Sequence, residues 1–179
     1  FDDKKLGIVF RQTVGSYKLF NSFNSVGGSN GKVLRYYAYF QHKSGDDYRP
    51  NSHFNVKNLF GHLELPLGDK LVVGVDQTYM TYVSQQAGGL TDSEFMEDPR
   101  QSNRNRNWFQ VKWYVPSLSL NYYPTPSTSI SSKFFGLIAE RNTVGNLGSI
   151  TRADDETSDR NVITGDFKNI GNETRVIHS

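Results

Sequence analysis

The sequence predicts an all-β protein, folded as an antiparallel up-and-down meander of about eight long strands. Three observations predict this class. Apolar and polar residues alternate over most of the chain, which is the period of a strand with two different faces. The 16 glycines, 10 tyrosines and 12 phenylalanines suit strands and tight turns better than helices. The predicted strands are also joined in a regular order, by short turns that alternate with long loops from the third strand onward.

The first three strands are separated by glycine-rich turns. The first strand begins near Leu6 and ends at Gly15-Ser16-Tyr17. The second strand covers residues 18–25, and the run GGSNG at 27–31 predicts a tight turn. The third strand, 32–43, alternates aliphatic and aromatic residues and is followed by a loop at 44–55.

The fourth and fifth strands show the clearest alternation. They are joined by a turn over residues 66–69, PLGD. We expect one common face, directed to lipid, to carry the apolar residues of both strands: Leu59, Leu63, Leu65, Leu71, Val73 and Val75.

The segment 85–109 is too long for a hairpin turn and has a specific composition. Gly88-Gly89 ends the preceding strand, because glycine accepts backbone angles that other residues avoid. Thr91 stands three residues before Glu94, the spacing of a reciprocal helix cap, and Pro99 stops a helix. We therefore predict a short helix over residues 92–97 inside a structured loop.

Three more strands follow the long loop, at residues 109–122, 128–141 and 162–178. The apolar residues of the sixth strand change parity at Pro116, which we interpret as a β-bulge. The turn at 124–127 is short, whereas the loop at 142–161 is long. The seventh strand has no clean parity, and the eighth is polar on both faces.

Loop order and strand length both favour a transmembrane β-barrel over a soluble sandwich. Short turns at one end and long loops at the other are the usual arrangement of outer-membrane barrels. From Phe109 to Tyr122 a tilted strand rises roughly 33 Å, more than the ~25 Å apolar band of such a barrel. We expect Trp108-Phe109 and Tyr122-Tyr123 to lie in the aromatic girdles at its edges.

Composition argues against several other classes. A net charge of +2 gives no basic field for nucleic acid, and the absence of cysteine excludes disulfides and thiolate metal sites. The four histidines lack metal-ligand spacing, and no nucleophile elbow, phosphate loop or supported carboxylate pair is present. We predict that the protein is not an enzyme and carries no cofactor or metal.

Three passages resemble a known family. They are GSY at 15–17 through GG at 27–28, GDDYRPN at 45–51, and QAGGLT at 86–91 followed by DPRQS at 98–102 and RNWF at 106–109. Together they resemble the TonB-dependent outer-membrane receptors, in particular the ferric dicitrate type of the Bacteroidetes. The resemblance covers nearly the whole chain.

This resemblance implies a 22-stranded barrel that encloses a plug domain in the bacterial outer membrane. We expect residues 1–179 to be about the first third of that barrel, an excised piece with the plug absent. The implied function is uptake of a ferric chelate, either iron citrate or another siderophore. The implied partners are the chelate, the TonB complex (through the missing plug) and outer-membrane lipid. The alternatives are a small structural or adhesive eight-stranded barrel and a soluble β-rich binding module.

Four arginines are the candidate ligand-binding residues of the extracellular loops: Arg49, Arg100, Arg104 and Arg106. A guanidinium offers paired donors to carboxylate or catecholate oxygens, and each shielded, charge-assisted bond contributes ~1.5–3 kcal/mol. The alternative is that these arginines hold the loop together by pairing with its own acids, Asp92, Glu94, Glu97 and Asp98.

Overall fold

The protein is a single curved layer of eight strands with one short helix. The computed structural model describes residues 6–30, 33–152 and 154–179. The predicted strand count and the helix are confirmed. The elements are β1 Gly7–Gly15, β2 Leu19–Ser29, β3 Arg35–Gly45, β4 Phe54–Leu67, β5 Leu71–Gln85, α1 Asp92–Glu97, β6 Trp108–Thr125, β7 Thr128–Gly145 and β8 Asn161–His178.

The strands form one antiparallel sheet in sequence order, from β1 to β8. Within the described residues, β1 and β8 lie at the two edges and each pairs with a single neighbour. Strand length rises from 9 residues in β1 to 18 in each of β6, β7 and β8. Such strands are about three times longer than the average strand of a soluble protein.

The six aliphatic residues expected on a common face lie there. Leu63 stands opposite Val75, Leu65 stands opposite Val73, and the other members share their parity. We call this side of the sheet the leucine face. The opposite face carries polar residues near the short turns, among them His62 and Asp76, whose side chains are 2.7 Å apart.

The leucine face has no second layer to cover it. Within the described part of the chain, no hydrophobic side chain is buried, and Leu59 is 50 % exposed. The accessible surface is 12030 Å², whereas a compact protein of 20.3 kDa has about 8,800 Å². The excess of roughly 3,000 Å² of accessible surface indicates a sheet face that a non-aqueous phase or another part of a protein must cover.

Connections at the two ends of the sheet differ in length. One end has only the connections 30–34, 68–70 and 126–127, and the other has 16–18, 46–53, 86–107 and 146–160. This confirms the order of short turns and long loops expected from the sequence. No helix of the described residues is long and apolar enough to cross a membrane.

The turn predicted at 27–31 is wrong in position. Gly27, Gly28 and Ser29 belong to β2, where Gly27 stands opposite Tyr37 and Gly28 opposite Tyr36. Pairing with β3 gives these residues a ladder of hydrogen bonds that an isolated GGSNG turn would forgo. Residues 31 and 32 of the predicted turn lie outside the described residues.

The bulge predicted at Pro116 is also wrong. Pro116 stands opposite Gln77 in an unbroken register, and the irregularity between β6 and β7 falls at residues 122–125 instead. The parity shift therefore comes from a change in which face is apolar. Leu118 lies on the leucine face, while Trp113 lies on the opposite face.

Because the apolar residues of β6 change from one face to the other, the expected positions of the aromatic girdles must also be revised. Adjacent residues of a strand point to opposite faces, so Trp108 and Phe109 cannot both meet lipid. Trp108 lies on the leucine face and Phe109 on the other. On the leucine face the continuous run of apolar residues ends, toward the long loops, at Tyr79 and Tyr114. The next residue on this face of β6 is Lys112, which pairs with Glu140 at 3.3 Å.

Candidate ligand-binding loops

The loop 86–107 begins with its two ends joined and a glycine turn just inside them. The amide of Gln86 donates to the carbonyl of Asn107 at 2.8 Å. Gly88 then adopts φ +81°, and a Cβ there would stand 2.7 Å from Cγ of Arg104. Only glycine meets both conditions without strain, so Gly88 sets the path of the loop.

Helix α1 is fixed by the predicted cap. The amide of Glu94 donates to Oγ1 of Thr91 at 3.3 Å, and the amide of Thr91 donates to Oε2 of Glu94 at 2.7 Å. The bond from the Thr91 amide is the largest cause of a lowered pKa of Glu94, and a bond from the Thr91 hydroxyl to the same carboxylate acts in the same direction. Asn103 Nδ2 donates to Oε1 of Glu94 at 3.0 Å, which ties the helix to the later part of the loop.

Arg49 reaches across from the loop 46–53 and binds backbone oxygens of the long loop. Its Nε donates to the carbonyl of Gln101 at 2.8 Å, and Nη1 donates to the carbonyl of Gly88 at 2.7 Å. These two carbonyls belong to opposite arms of the long loop. The guanidinium therefore clamps the arms together, and its donors are largely occupied by the protein itself.

Arg104 is the most buried of the four arginines, with 3 % of its surface exposed. Its Nη1 donates to the carbonyl of Asn103 at 2.7 Å, and Nη2 donates to the carbonyl of Ser149 at 3.0 Å. The second bond joins the long loop to the loop 146–160. Burial of this charge is tolerated here because carbonyl dipoles solvate it.

Arg106 makes a second bridge between the same two loops. Its Nη2 donates to the carbonyls of Asp155 at 3.2 Å and Ser158 at 3.1 Å. Arg106 lies two residues before Trp108, the first residue of β6, which is the position expected of a residue that fixes the loop to the end of the sheet.

A further bridge, absent from the sequence prediction, is made by Asn107. Its Oδ1 accepts the amide of Asn146 at 2.8 Å, and its Nδ2 donates to the carbonyl of Asn146 at 3.1 Å. A Cβ at Gly145 would lie 2.4 Å from Cγ of Asn107, so glycine is needed for this approach. The only available signal was Gly145 itself, which the sequence prediction placed in the loop 142–161.

Arg100 is the exception among the four, because its guanidinium makes no hydrogen bond to a carbonyl of the loop residues that the structure describes. It lies over the ring of Tyr48, with Cζ 5.1 Å from the ring centroid, and the residue is exposed. The pair borders a hollow of about 280 Å³ that also includes Tyr17 and His53. An exposed guanidinium stacked on a phenol can bind an anion with carboxylate or catecholate oxygens.

The first two connections at this end are joined by an ionic contact. Asp46 accepts from Lys18 Nζ at 2.7 Å and stands 3.0 Å from His53 Nδ1. Hydrogen bonds from Lys18 and His53 lower the pKa of Asp46, and the bond to Asp46 raises the pKa of Lys18. The turn 16–18 is thereby attached to the loop 46–53.

The partners of the arginines differ from the acids proposed as their alternative partners. In the described part of the chain, no ion pair within 4 Å joins one of the four arginines to Asp92, Glu94, Glu97 or Asp98, and backbone carbonyls bind Arg49, Arg104 and Arg106 instead. The charge of Arg104 does reach Glu94 at longer range, where it is a minor cause of the lowered pKa of that carboxyl. No cluster of three or more potential metal-ligating side chains occurs among the residues described. The loops form one continuous polar layer, and a ligand-binding role for the four arginines stays a prediction.

Comparison with solved structures gives the fold. Over 98% of this chain and 31% of the other, the sheet matches the open form of the ferric-catecholate import receptor Fiu from E. coli K12, with a TM-score of 0.77 and 13% identity. The closed form of that receptor gives a TM-score of 0.69 at 12% identity, over 97% of this chain and 29% of the other. The unliganded ferric citrate transporter FecA gives 0.65 at 16% identity, over 83% and 24% of the two chains.

These matches concern the fold, and the chain spans about a quarter to a third of the length of each matching structure. No family model matches the sequence, and no curated protein does. The fold expected from the resemblance is confirmed: the eight-stranded antiparallel meander matches part of the structures of these two proteins, Fiu and FecA.

Proposed function

We propose that the chain forms part of the β-barrel of a TonB-dependent transporter in the bacterial outer membrane. The observation that carries this proposal is the uncovered leucine face, which lies on one side of a single sheet whose long loops are gathered at one end. A lipid bilayer is the covering that suits a continuous band of exposed aliphatic side chains on long antiparallel strands.

We further propose that the transporter takes up a ferric chelate, and that the chain contributes to recognition at the loop end. The matching structures are those of a ferric citrate transporter and a ferric-catecholate import receptor. The site we favour is Arg100 with Tyr48, because this guanidinium is exposed while Arg49 and Arg104 are bound to carbonyls. The plug and the TonB complex would act through parts of the protein beyond this section. No step of this process changes the ligand covalently.

Chelate binding by the full-length protein, purified from outer membranes in detergent, tests the proposal. The probes are ferric citrate and a ferric catecholate, measured by quenching of intrinsic fluorescence. We expect Arg100→Ala to weaken binding of the preferred probe by about tenfold, the lower end for one charge-assisted contact because the site is exposed.

Two controls accompany this variant. Arg175→Ala removes an exposed arginine at the short-turn end and should bind as the wild type does. Arg104→Ala should increase proteolysis of the loop 86–107, because it removes the bonds to the loop 146–160. Unchanged affinity in Arg100→Ala would move recognition away from this residue. A protein that binds neither probe would contradict the proposed ligand class.

A further inference from the structure

The leucine face contains a groove near its boundary with the charged residues. It has a volume of about 610 Å³ and is lined mainly by apolar side chains of β5 to β8. Its floor is formed by Pro116 and Gly136, which occupy the same level of neighbouring strands. A Cβ at Gly136 would meet Pro116 Cγ only at 3.6 Å, so the missing side chain leaves real space there. Phe134, Ile138 and Ile170 form its walls.

One end of this groove carries a cation. Lys168 lines the groove, stands opposite Ile138 and is exposed on the leucine face. No ion pair of Lys168 is found among residues 6–30, 33–152 and 154–179. The neighbouring Lys112, in contrast, is paired with Glu140. Asp166, two residues from Lys168, stands opposite Glu140 on the loop side, away from the groove.

This order of residues matches the order of groups in a lipid. An apolar chain lying along Pro116 and Gly136 would have its polar end at Lys168, where the leucine face changes from apolar to charged. Asp166 and Glu140 would repel an anion placed further toward the loops, which confines it to the groove side of Lys168. A zwitterionic head group would gain less from the same lysine, because its own cation opposes the contact.

We propose that this groove is a specific lipid site, which holds the acyl chain of a bilayer lipid whose anionic phosphate head group binds Lys168. The inference rests on the proposed position of the leucine face in a membrane. It adds a ligand that is separate from the transported chelate and from the loops that would recognise the chelate.

The test counts lipids bound to the full-length protein by native mass spectrometry. The protein is presented with phosphatidylglycerol or phosphatidylcholine of identical acyl chains. We expect a preference for phosphatidylglycerol that Lys168→Gln reduces by about fivefold, the effect of one lysine near an anionic lipid. Lys57→Gln is the matched control, since Lys57 is also an exposed lysine on the leucine face but borders no part of the groove.

A second pair of variants tests the apolar part of the site. Gly136→Leu should lower the occupancy of both lipids by filling the floor, and Gly136→Ala should do so less, without strain on the sheet. Equal effects of Lys168→Gln and Lys57→Gln, or full occupancy in both Gly136 variants, would overturn the lipid site. Heat-modifiable gel mobility is scored in parallel: its absence in the wild type would count against the proposed barrel, whereas a folded barrel without lipid preference would count against the groove alone.

Discussion

Gly88 shows how much of the loop depends on one backbone position. Its φ of +81° and the 2.7 Å approach of Arg104 Cγ leave no room for a side chain. Arg104 in turn binds the carbonyl of Ser149, so the turn at Gly88 and the contact between two loops are coupled. The backbone turn at Gly88, the buried side chain of Arg104 and the carbonyl of Ser149 therefore pack together as one unit.

Replacing Gly88 by alanine should displace Arg104 and loosen both loops. We expect a cost of about 1–2 kcal/mol for the left-handed backbone, plus the loss of the carbonyl bonds made by Arg104. Limited proteolysis of the purified receptor measures the effect as faster cleavage within 86–107 and 146–160. Gly61→Ala is the control, because a Cβ there meets nothing within 4 Å. Equal cleavage of the two variants would show that the loops do not depend on this turn.

The residue contacts also show what the sequence could and could not predict. The cap of α1 was predictable because Thr91 and Glu94 lie within one helical turn of each other. The partners of Arg49 and Arg104 were not, because they are carbonyl oxygens 39 and 45 residues away. A carbonyl has no residue-specific signature, so a search for acidic partners could not identify these contacts.

At the scale of elements, the loops behave as a connected layer. The turn 16–18 binds the loop 46–53 through Asp46, that loop binds 86–107 through Arg49, and 86–107 binds 146–160 through Arg104. Four connections that are distant in sequence are thus linked in series. The common apolar face of β4 and β5 was predictable from alternation, whereas this series depends on contacts between loops and was not.

The first link in the series should depend on pH. The pKa of Asp46 is lowered in the fold, so its contribution is present above the unfolded value of 3.8 and is lost as pH falls through its lower, folded pKa. The pKa of Lys18 is raised, so its contribution is present below 10.5 and is lost as pH rises through its higher, folded pKa. The link should therefore hold throughout the neutral range.

Hydrogen exchange at the amide of Asp46, which donates to the carbonyl of Tyr17 at 2.8 Å, reports on this link. We expect its protection, corrected for intrinsic exchange, to decrease only below the unfolded pKa of Asp46 and above that of Lys18. In Asp46→Asn the acid-dependent loss should disappear. Protection that changes between pH 5 and 9 would mean that another group controls the contact.

For the whole molecule, the two faces of each strand should respond in opposite ways to charge. Leu63 and Asn58 both belong to β4, but Leu63 lies on the leucine face, opposite Val75, and Asn58 lies on the other face. We expect Leu63→Arg to reduce assembly in the outer membrane, at a cost of about 2–4 kcal/mol near the bilayer midplane. Asn58→Arg should be tolerated. The measure is the heat-modifiable fraction of each full-length variant, and equal fractions would contradict a lipid position for the leucine face.

The general architecture could be predicted because alternation and loop order are properties of the chain itself. The change of apolar face at Pro116 was visible as a parity shift, but its cause was misassigned. A bulge and a change of environment produce the same one-residue offset in sequence. Only the unbroken pairing of Pro116 with Gln77 distinguishes them.

That change of face has a consequence for the electrostatics of recognition. On β6 the continuous run of outward apolar residues ends at Tyr114, and the six residues from Trp108 to Trp113 continue toward the loops. At ~3.3 Å per residue and the usual tilt, they raise the rim about 15 Å above the hydrocarbon boundary. This is nearly two Debye lengths at physiological ionic strength, where the screening distance is about 8 Å. In that medium Arg100 would interact with an incoming anion with little influence from the phosphates of the membrane surface. At an ionic strength near 0.01 M, where screening extends to about 30 Å, those phosphates would repel the same anion and slow its arrival.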